Sequence, residues 1–216
     1  MGPFDAVILD FDGVLAQSVD VKTRAFAELY EPYGPDIVSR VVAYHLAHGG
    51  LSRFDKFRHF HRVFLGAPLG ATDEAALGAR FSALVEDAVA DAPWVPGARE
   101  FLETYHRRLP LFVASGTPED ELRRIIARRS AAHYFADIGG APLTKADIIA
   151  AVVRRGGFQH TRVLMVGDSS TDYEGARSSG VHFLGIGREG SVFPDAIAVL
   201  PDLTGLGGFV APSEAR

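Results

Sequence analysis

The stretch FDAVILDFDGVL, residues 4–15, decides the fold of this chain. Its apolar run at residues 7–9 is typical of a strand that is buried on both faces of a parallel sheet. Asp10 and Asp12 follow, and because side chains two residues apart point to the same side of an extended chain, their carboxylates converge beyond the strand. Gly13 permits a sharp turn after them. Two adjacent carboxylates repel each other, so burying them predicts a compensating cation.

The composition is that of an ordinary globular protein. The chain has 216 residues, 47% hydrophobic and 23% charged, enough for one α/β domain or a core with an insertion. Its net charge of -5 offers no basic excess for nucleic acid, and zero cysteines exclude disulfides and thiol catalysis. We see no secretory signal and no run near the ~20 apolar residues that span a bilayer. We therefore expect a cytoplasmic protein that binds neither nucleic acid nor membrane. The sequence gives no prediction of its oligomeric state.

The chain after the first strand divides into a helical block and an alternating region. Residues 17–92 show helical periodicity only, with predicted helices up to Pro32, over 35–48, after Ser52 and over 72–90. The later chain alternates predicted strands at 111–114, 137–138, 162–166, 182–186 and 198–200 with helices. This alternation predicts an α/β fold with a parallel sheet, formed by residues 1–16 and 93–216. We also expect a helical turn over 192–196 and a frayed tail after Gly207.

Three of the predicted strands end in small or acidic residues. Because the carboxyl ends of parallel strands share one edge of the sheet, these residues meet although they are distant in sequence. They are Asp10, Asp12, Ser115, Gly116, Thr117 and Asp168. Aspartate oxygens suit Mg²⁺, whereas the Ser115 hydroxyl and the Gly116 amide are short donors for an anion. Lys145 begins a helix and would add a positive charge to that anion. These groups predict a phosphate pocket that contains a carboxylate nucleophile.

Four motifs in order resemble those of the haloacid dehalogenase superfamily. They are DFDGV at 10–14, SGT at 115–117, Lys145 and VGDSSTD at 166–172. The resemblance covers nearly the whole chain and is to the phosphatase branch with a helical cap inserted after the first motif, as in phosphoglycolate phosphatases and β-phosphoglucomutases. It implies a Rossmann-like core with a cap at 17–92. It also implies a Mg²⁺-dependent phosphomonoesterase acting on a small phosphorylated metabolite such as phosphoglycolate or a sugar phosphate.

The resemblance assigns a role to each matching residue. Asp10 would attack phosphorus and form an aspartyl-phosphate, and Asp12 would protonate the leaving alcohol and then activate water. The Asp10 carboxylate, the Asp12 carbonyl and Asp168 would hold Mg²⁺. Ser115 and Lys145 would bind phosphoryl oxygens, together with the two residues that complete the SGT motif, Gly116 and Thr117.

Further positions have more than one possible role. Asp172 could support the metal or Lys145, or be an exposed acid in the first turn of a helix. The segment GGLSR at 49–53 resembles a cap loop of the mutases, which makes Arg53 and Lys56 candidates for substrate binding or residues of a solvated helix start. Lys22 stands where the mutase has a histidine and is a third candidate. We expect the histidines of the helical block to have ordinary surface or packing roles.

Two alternative functions stay open. A sugar phosphomutase would use the same phospho-Asp10 intermediate, and a non-catalytic family member would bind a ligand through its cap. The complete set of motif residues argues against the second alternative. Cap closure would require hinges near residues 15–18 and 92–97.

Overall fold

The computed structural model describes residues 3–187 and 193–211. Within these residues the chain forms a parallel six-stranded sheet in the order β3-β2-β1-β4-β5-β6. The strands are β1 (Ala6–Leu9), β2 (Leu111–Pro118), β3 (Asp137–Ala141), β4 (Val163–Gly167), β5 (His182–Ile186) and β6 (Val199–Leu200). The predicted α/β class with a parallel sheet is confirmed.

Strand β1 lies at the centre of the sheet and is fully buried. It pairs with β2 on one side and β4 on the other, because the chain first adds strands outward from β1 and then returns to its opposite edge. The order of strands therefore reverses beside β1. Ligands of open α/β sheets bind at the carboxyl ends of the strands where this reversal occurs.

Four helices form the insertion between β1 and β2. They are α1 (Val19–Tyr30), α2 (Pro35–Ala47), α3 (Arg53–His59) and α4 (Ala71–Asp91), with a π-helical turn at Phe60–Phe64 continuing α3. Their core is aromatic: the Phe26 ring lies 4.5 to 5.8 Å, between centroids, from Phe57, Phe60 and Phe81. The insertion is an α-helical cap whose aromatic core is continuous with the apolar cluster on one face of the sheet.

Both faces of the sheet are covered by apolar side chains. Val7 and Leu9 belong to one apolar cluster and Ala6 and Ile8 to the other, as the alternation of side chains along a strand requires. The helices outside the insertion are α5 (Ala98–Tyr105), α6 (Glu119–Arg128), α7 (Lys145–Gly156), α8 (Ser170–Ser179) and α9 (Leu206–Val210). No helix of the described residues has the length and apolar character needed to cross a bilayer.

The two connections between the sheet and the insertion run side by side. Gln17 N donates to the carbonyl of Pro93 at 2.9 Å, and Val95 N donates to the carbonyl of Leu15 at 3.0 Å. Paired crossings of this kind are what a two-strand hinge requires. The hinge and the boundaries 1–16, 17–92 and 93–216 remain predictions.

The structure corrects three local predictions. Strand β2 continues through the SGT motif to Pro118, with a shift in its register to β3 after Ala114. The tail does not fray directly after Gly207, because helix α9 is held by the buried Leu206 and Val210, whereas residues 212–216 lie outside the described part. Of the helical turn expected over 192–196, residue 192 lies outside the described residues and 193–196 form no helix.

Candidate active site

The carboxyl ends of β1, β2 and β4 form the floor of a cavity of about 120 Å³, and the cap forms its roof. Because one enclosed water needs roughly 10–15 Å³, the cavity has room for a small organic molecule. The floor contributes Asp10, Asp12, Ser115, Gly116, Thr117 and Asp168, and the cap contributes Lys22, His45, Arg53 and Lys56. The structure thus brings the predicted core residues and the three predicted cap cations to one place.

Asp10 ends the central strand and is 3% exposed. Its Oδ1 accepts the Phe11 backbone N–H at 2.7 Å, and its Oδ2 lies 2.6 Å from the Lys145 ammonium. Burial, followed by the negative charges of Asp172 and Asp168, raises the pKa of Asp10 well above its usual range despite Lys145. The carboxylate is therefore fixed in orientation and costly to ionise in the absence of further positive charge.

Asp12 has a separate set of partners. Ser18 donates to its Oδ1 at 2.6 Å, Thr117 donates to its Oδ2 at 3.2 Å, and Lys22 forms an ion pair with the same Oδ2. Burial alone would raise the pKa of Asp12, but the charge of Lys22 and these hydrogen bonds hold it below its usual range. Asp12 is thus an ionised carboxylate that can accept a proton.

The third acidic element follows β4. One carboxylate oxygen each from Asp10, Asp168 and Asp172 lies within 4.8 Å of the others. Burial and the negative charge of Asp172 raise the pKa of Asp168 to about 7. Gly13, with a φ of +80°, passes so close that a Cβ there would lie 2.0 Å from Asp168 Oδ2. Only glycine therefore fits this turn beside the carboxylate.

Asp172 is fully buried, so it is not the exposed acid that was one of its possible roles. Its Oδ1 pairs with Lys145, while its Oδ2 accepts the Ser169 hydroxyl at 2.5 Å and the Ser169 backbone N–H at 3.1 Å. Both oxygens are thus in use. This arrangement favours the role of holding Lys145 against Asp10.

The donor set fits a divalent cation. Among the described residues at the cavity floor, the carboxylates of Asp10, Asp12, Asp168 and Asp172 face the ammonium groups of Lys22 and Lys145. The raised pKa values of Asp10 and Asp168 show that their ionised forms are unfavourable in this buried site, and a bound cation would offset that cost. Carboxylate oxygens are the ligands that Mg²⁺ prefers.

The SGT motif provides donors on the other side of the floor. Ser115 is 1% exposed, and its Oγ accepts the Thr117 backbone N–H at 3.2 Å, which leaves its hydroxyl proton for a ligand. Gly116 lies against the cap: a Cβ there would be 2.7 Å from the carbonyl of Gly50. The cap loop therefore touches the phosphate-binding motif proposed from the sequence.

The cap cations differ in their partners. Arg53 donates to both oxygens of Glu121 on α6, at 2.9 and 2.5 Å, so its charge is neutralised. Lys56 instead contacts His45 Nδ1 at 2.9 Å and the Gly49 carbonyl at 3.2 Å, neither of which carries a negative charge.

Sequence reasoning missed Ser18, Glu121 and His45. Ser18 lies six residues after Asp12, and its position shortly after the DFDG turn was a usable signal. Glu121 and Arg53 are 68 residues apart and belong to different elements, so no local pattern links them. His45 packs against Phe26, in line with one of the two expected roles, but its place beside the cavity and its contact with Lys56 were not expected.

Comparison with known proteins agrees with this geometry. Residues 4–180 match the family described as haloacid dehalogenase-like hydrolases. The chain is 31% identical over 236 residues to a phosphoglycolate phosphatase of Rhodospirillum rubrum, covering 98% of this chain and 94% of that protein.

Solved structures share the fold at lower identity. A predicted phosphoglycolate phosphatase from Haemophilus somnus 129pt superposes with a TM-score of 0.73 at 17% identity, covering 95% of this chain and 97% of the other. A beta-phosphoglucomutase from Clostridium difficile gives a TM-score of 0.78 at 14% identity, with coverages of 94% and 93%. With its parallel sheet, its inserted cap and its four motifs meeting at one edge, this chain belongs to the haloacid dehalogenase-like hydrolases and is a phosphatase.

Proposed function

We propose that the protein is a Mg²⁺-dependent phosphomonoesterase that hydrolyses a small phosphorylated metabolite through an aspartyl-phosphate on Asp10. The observation that carries the proposal is the placement of Asp10. Its carboxylate lies buried on the cavity floor, 2.6 Å from the Lys145 ammonium and within 4.8 Å of a carboxylate oxygen of Asp168. A buried nucleophile beside a fixed cation and a cation site is suited to attack on an anionic phosphate.

In the first step, an oxygen of Asp10 forms a bond to phosphorus while the bond between phosphorus and the alcohol oxygen breaks. Lys145 and Ser115 hold phosphoryl oxygens, with the backbone of Gly116 and with Thr117 beside them. Asp172 keeps Lys145 in place for this contact. Positioning of this kind supplies most of the rate enhancement in phosphoryl transfer.

Asp12 handles the protons of both steps. It donates one to the leaving alcohol, and then removes one from the water that attacks the aspartyl-phosphate. The lowered pKa of Asp12 suits the second step, because it keeps the carboxylate ionised. The first step needs a proton on Asp12, but the ion pair with Lys22 lowers the pKa of Asp12. When the substrate phosphate binds Lys22 in place of Asp12, the pKa of Asp12 rises and protonation becomes easier.

Mg²⁺ is assigned to the Asp10 carboxylate, the Asp12 carbonyl and Asp168. When bound, it would neutralise the charge between the nucleophile and the phosphate. The closeness of the buried carboxylate oxygens of Asp10 and Asp168 supports this assignment.

Phosphoglycolate is the first substrate to test, because the Rhodospirillum rubrum relative is a phosphoglycolate phosphatase. Sugar phosphates are the second class. In either case the cap must close to exclude water from the first step. In a closed cap the loop lies tightly against the core, and Gly50 makes such a contact: a Cβ on it would lie 1.7 Å from Thr171 Oγ1 and 2.4 Å from Ser169 Oγ.

The test is phosphate release from a panel of small phosphomonoesters, with and without Mg²⁺, by the wild type and by Asp10→Asn. We expect metal-dependent release that Asp10→Asn abolishes. The matched control is Asp36→Asn, at an exposed aspartate in the first turn of α2, and it should keep full activity. Turnover that survives Asp10→Asn, or a folded wild type that hydrolyses nothing in the panel, would contradict the proposal.

A further inference from the structure

Lys56 is a buried cation that lacks an anionic partner. It is 2% exposed, lines the roof of the cavity, and forms no ion pair with any carboxylate in the described part of the chain. Its Nζ contacts one ring nitrogen of His45 and one backbone carbonyl, and lies 5.5 Å from the centroid of the Phe26 ring. Buried charges are normally paired with an opposite charge. The described residues provide no such partner for the Lys56 ammonium, so a bound anion would be its partner.

The neighbouring Arg53 shows the contrast. Although it lines the same cavity, both oxygens of Glu121 already accept its hydrogen bonds, and Ser82 Oγ accepts a further one at 2.9 Å. A ligand would have to displace a buried bidentate pair to reach it. Of the two cations after the cap loop, Lys56 is therefore the one available to an anion.

His45 keeps the ammonium group in this position. Burial, then the charges of Lys56 and Lys22, lower the pKa of His45 to about 3, so the ring is neutral and its Nδ1 accepts a hydrogen bond from the Lys56 ammonium. The other ring nitrogen, Nε2, is buried. The pair thus presents an ammonium group at the cavity roof.

We infer that Lys56, supported by His45, binds a second anionic group on the leaving-group side of the substrate. The preferred substrates are therefore phosphomonoesters that also carry a carboxylate or a second phosphate. This inference rests on the proposed function, because the first phosphate is taken to occupy the floor at Asp10. Removal of the phosphoryl group leaves an alcohol that still carries its anion, so this product keeps its contact with Lys56.

The charges around Lys56 support this role. Lys22 and Asp12 face it from α1 and from the end of β1, Lys145 faces it from α7, and Asp168 faces it from the end of β4. Burial, together with Lys22, lowers the pKa of Lys56 to about 7. An anion beside it would raise this pKa again, so binding of the second anion is accompanied by proton uptake near neutral pH.

The test compares substrates that differ only in the second anion. Phosphoglycolate is paired with hydroxyethyl phosphate, and a hexose bisphosphate with the matching monophosphate. If Lys56 makes a charge-assisted contact with the second anion, the kcat/KM of the wild type should be about 10- to 100-fold higher for the substrate with the second anion than for the matching compound without it, in one of the two pairs. The pair that shows the preference distinguishes a carboxylate from a phosphate. A wild type without preference in either pair would overturn the inference, and this comparison needs no variant.

The variant Lys56→Met should reduce that preference to within about threefold, mainly through KM, because it removes the charge and keeps the side-chain volume. The control is Arg58→Met, at an exposed cation on the same helix that pairs with Asp55 and Glu74, and it should retain the preference. A preference that persists in Lys56→Met would refute the role of this residue.

A binding measurement separates this inference from the proposed function. Calorimetric titration of Asp10→Asn with phosphoglycolate and with hydroxyethyl phosphate requires no turnover. If the panel shows no hydrolysis but phosphoglycolate still binds at least ~10-fold more tightly through Lys56, the inference stands while the proposed function fails. Equal binding within this pair and also within the pair of hexose bisphosphate and monophosphate would refute the inference whatever the activity.

Discussion

Replacing Lys56 by methionine should make the protein more stable at neutral pH. The pKa of this lysine falls from 10.5 to about 7 in the folded protein. At 1.36 kcal/mol per pKa unit, holding the ammonium group in place costs about 4 kcal/mol at pH 7. Lys56→Met removes this cost and loses hydrogen bonds to His45 and Gly49 worth about 1 kcal/mol each. The expected net gain is about 2 kcal/mol, or roughly 4–8 °C in Tm for a chain of this length.

The stability difference between Lys56→Met and the wild type should also depend on pH. Between pH 7 and pH 10.5 the unfolded chain keeps the Lys56 proton while the folded protein releases it, so the stability of the wild type rises with pH in this window. The advantage of Lys56→Met should therefore shrink above pH 7 and vanish at about pH 9, where the remaining cost equals the lost hydrogen bonds. It should change sign towards pH 10.5, where the unfolded chain also begins to release the proton.

Thermal unfolding of the wild type, Lys56→Met and Arg58→Met from pH 6.5 to pH 10.5 would measure this. The Arg58 variant should differ from the wild type by a small amount that does not vary with pH, because exposed ion pairs contribute about 0–1 kcal/mol. A Lys56→Met protein that is less stable than the wild type at pH 7 would refute the argument. So would a gain that stays constant across the whole range.

Three further predictions concern the metal, the cap contact and the buried ion pair. Mg²⁺ at 100 times its Kd should raise the free energy of unfolding of the wild type by about 2.7 kcal/mol, seen as a rise in Tm, and should not stabilise Asp168→Asn. An equal rise in Tm for both proteins would contradict the metal assignment. Gly50→Ala should lower kcat/KM at least ~10-fold, because its Cβ would lie 1.7 Å from a core hydroxyl, whereas Gly208→Ala, which meets nothing within 4 Å, should not; equal activities would argue against closure. Arg53→Met should cost about 3–5 kcal/mol in denaturant unfolding, and adding Glu121→Leu should recover much of it; no recovery would show that the two residues are not coupled.

The local parts of the fold and of the site were predictable from sequence. The DFDG turn, the SGT motif and Asp168 each lie directly after a run of buried apolar residues, and strand periodicity locates such runs. In a parallel sheet their common edge follows from topology alone. The helix predicted after Ser52 also forms there, and the Ser52 Oγ accepts the Phe54 backbone N–H at 3.2 Å.

Whether a charge is available to a ligand was not predictable. Arg53 and Lys56 are three residues apart on one helix, and the sequence treats them alike. They differ because the cap packs against α6, which places Glu121 beside Arg53. Glu121 neutralises Arg53 and does not pair with Lys56. Burial of Asp172 likewise depends on its contacts with Lys145 and Ser169 rather than on its place in a helix. Pairing between distant elements is decided by tertiary packing, which carries no local pattern.

The contacts of Lys56 connect substrate choice with cap closure. The carbonyl that accepts its hydrogen bond belongs to Gly49, and the next residue, Gly50, is the one packed against Ser169, Thr171 and Gly116 of the core. A second anion that binds Lys56 therefore acts on the loop that seals the cavity above the phosphate. A substrate without this anion would leave a buried charge unpaired in the closed state, so closure over it would be less favourable. Binding energy from the second anion at Lys56 thus helps to exclude water from the phosphate at Asp10. This gain in function explains why an unpaired cation persists at a site where it lowers the stability of the protein.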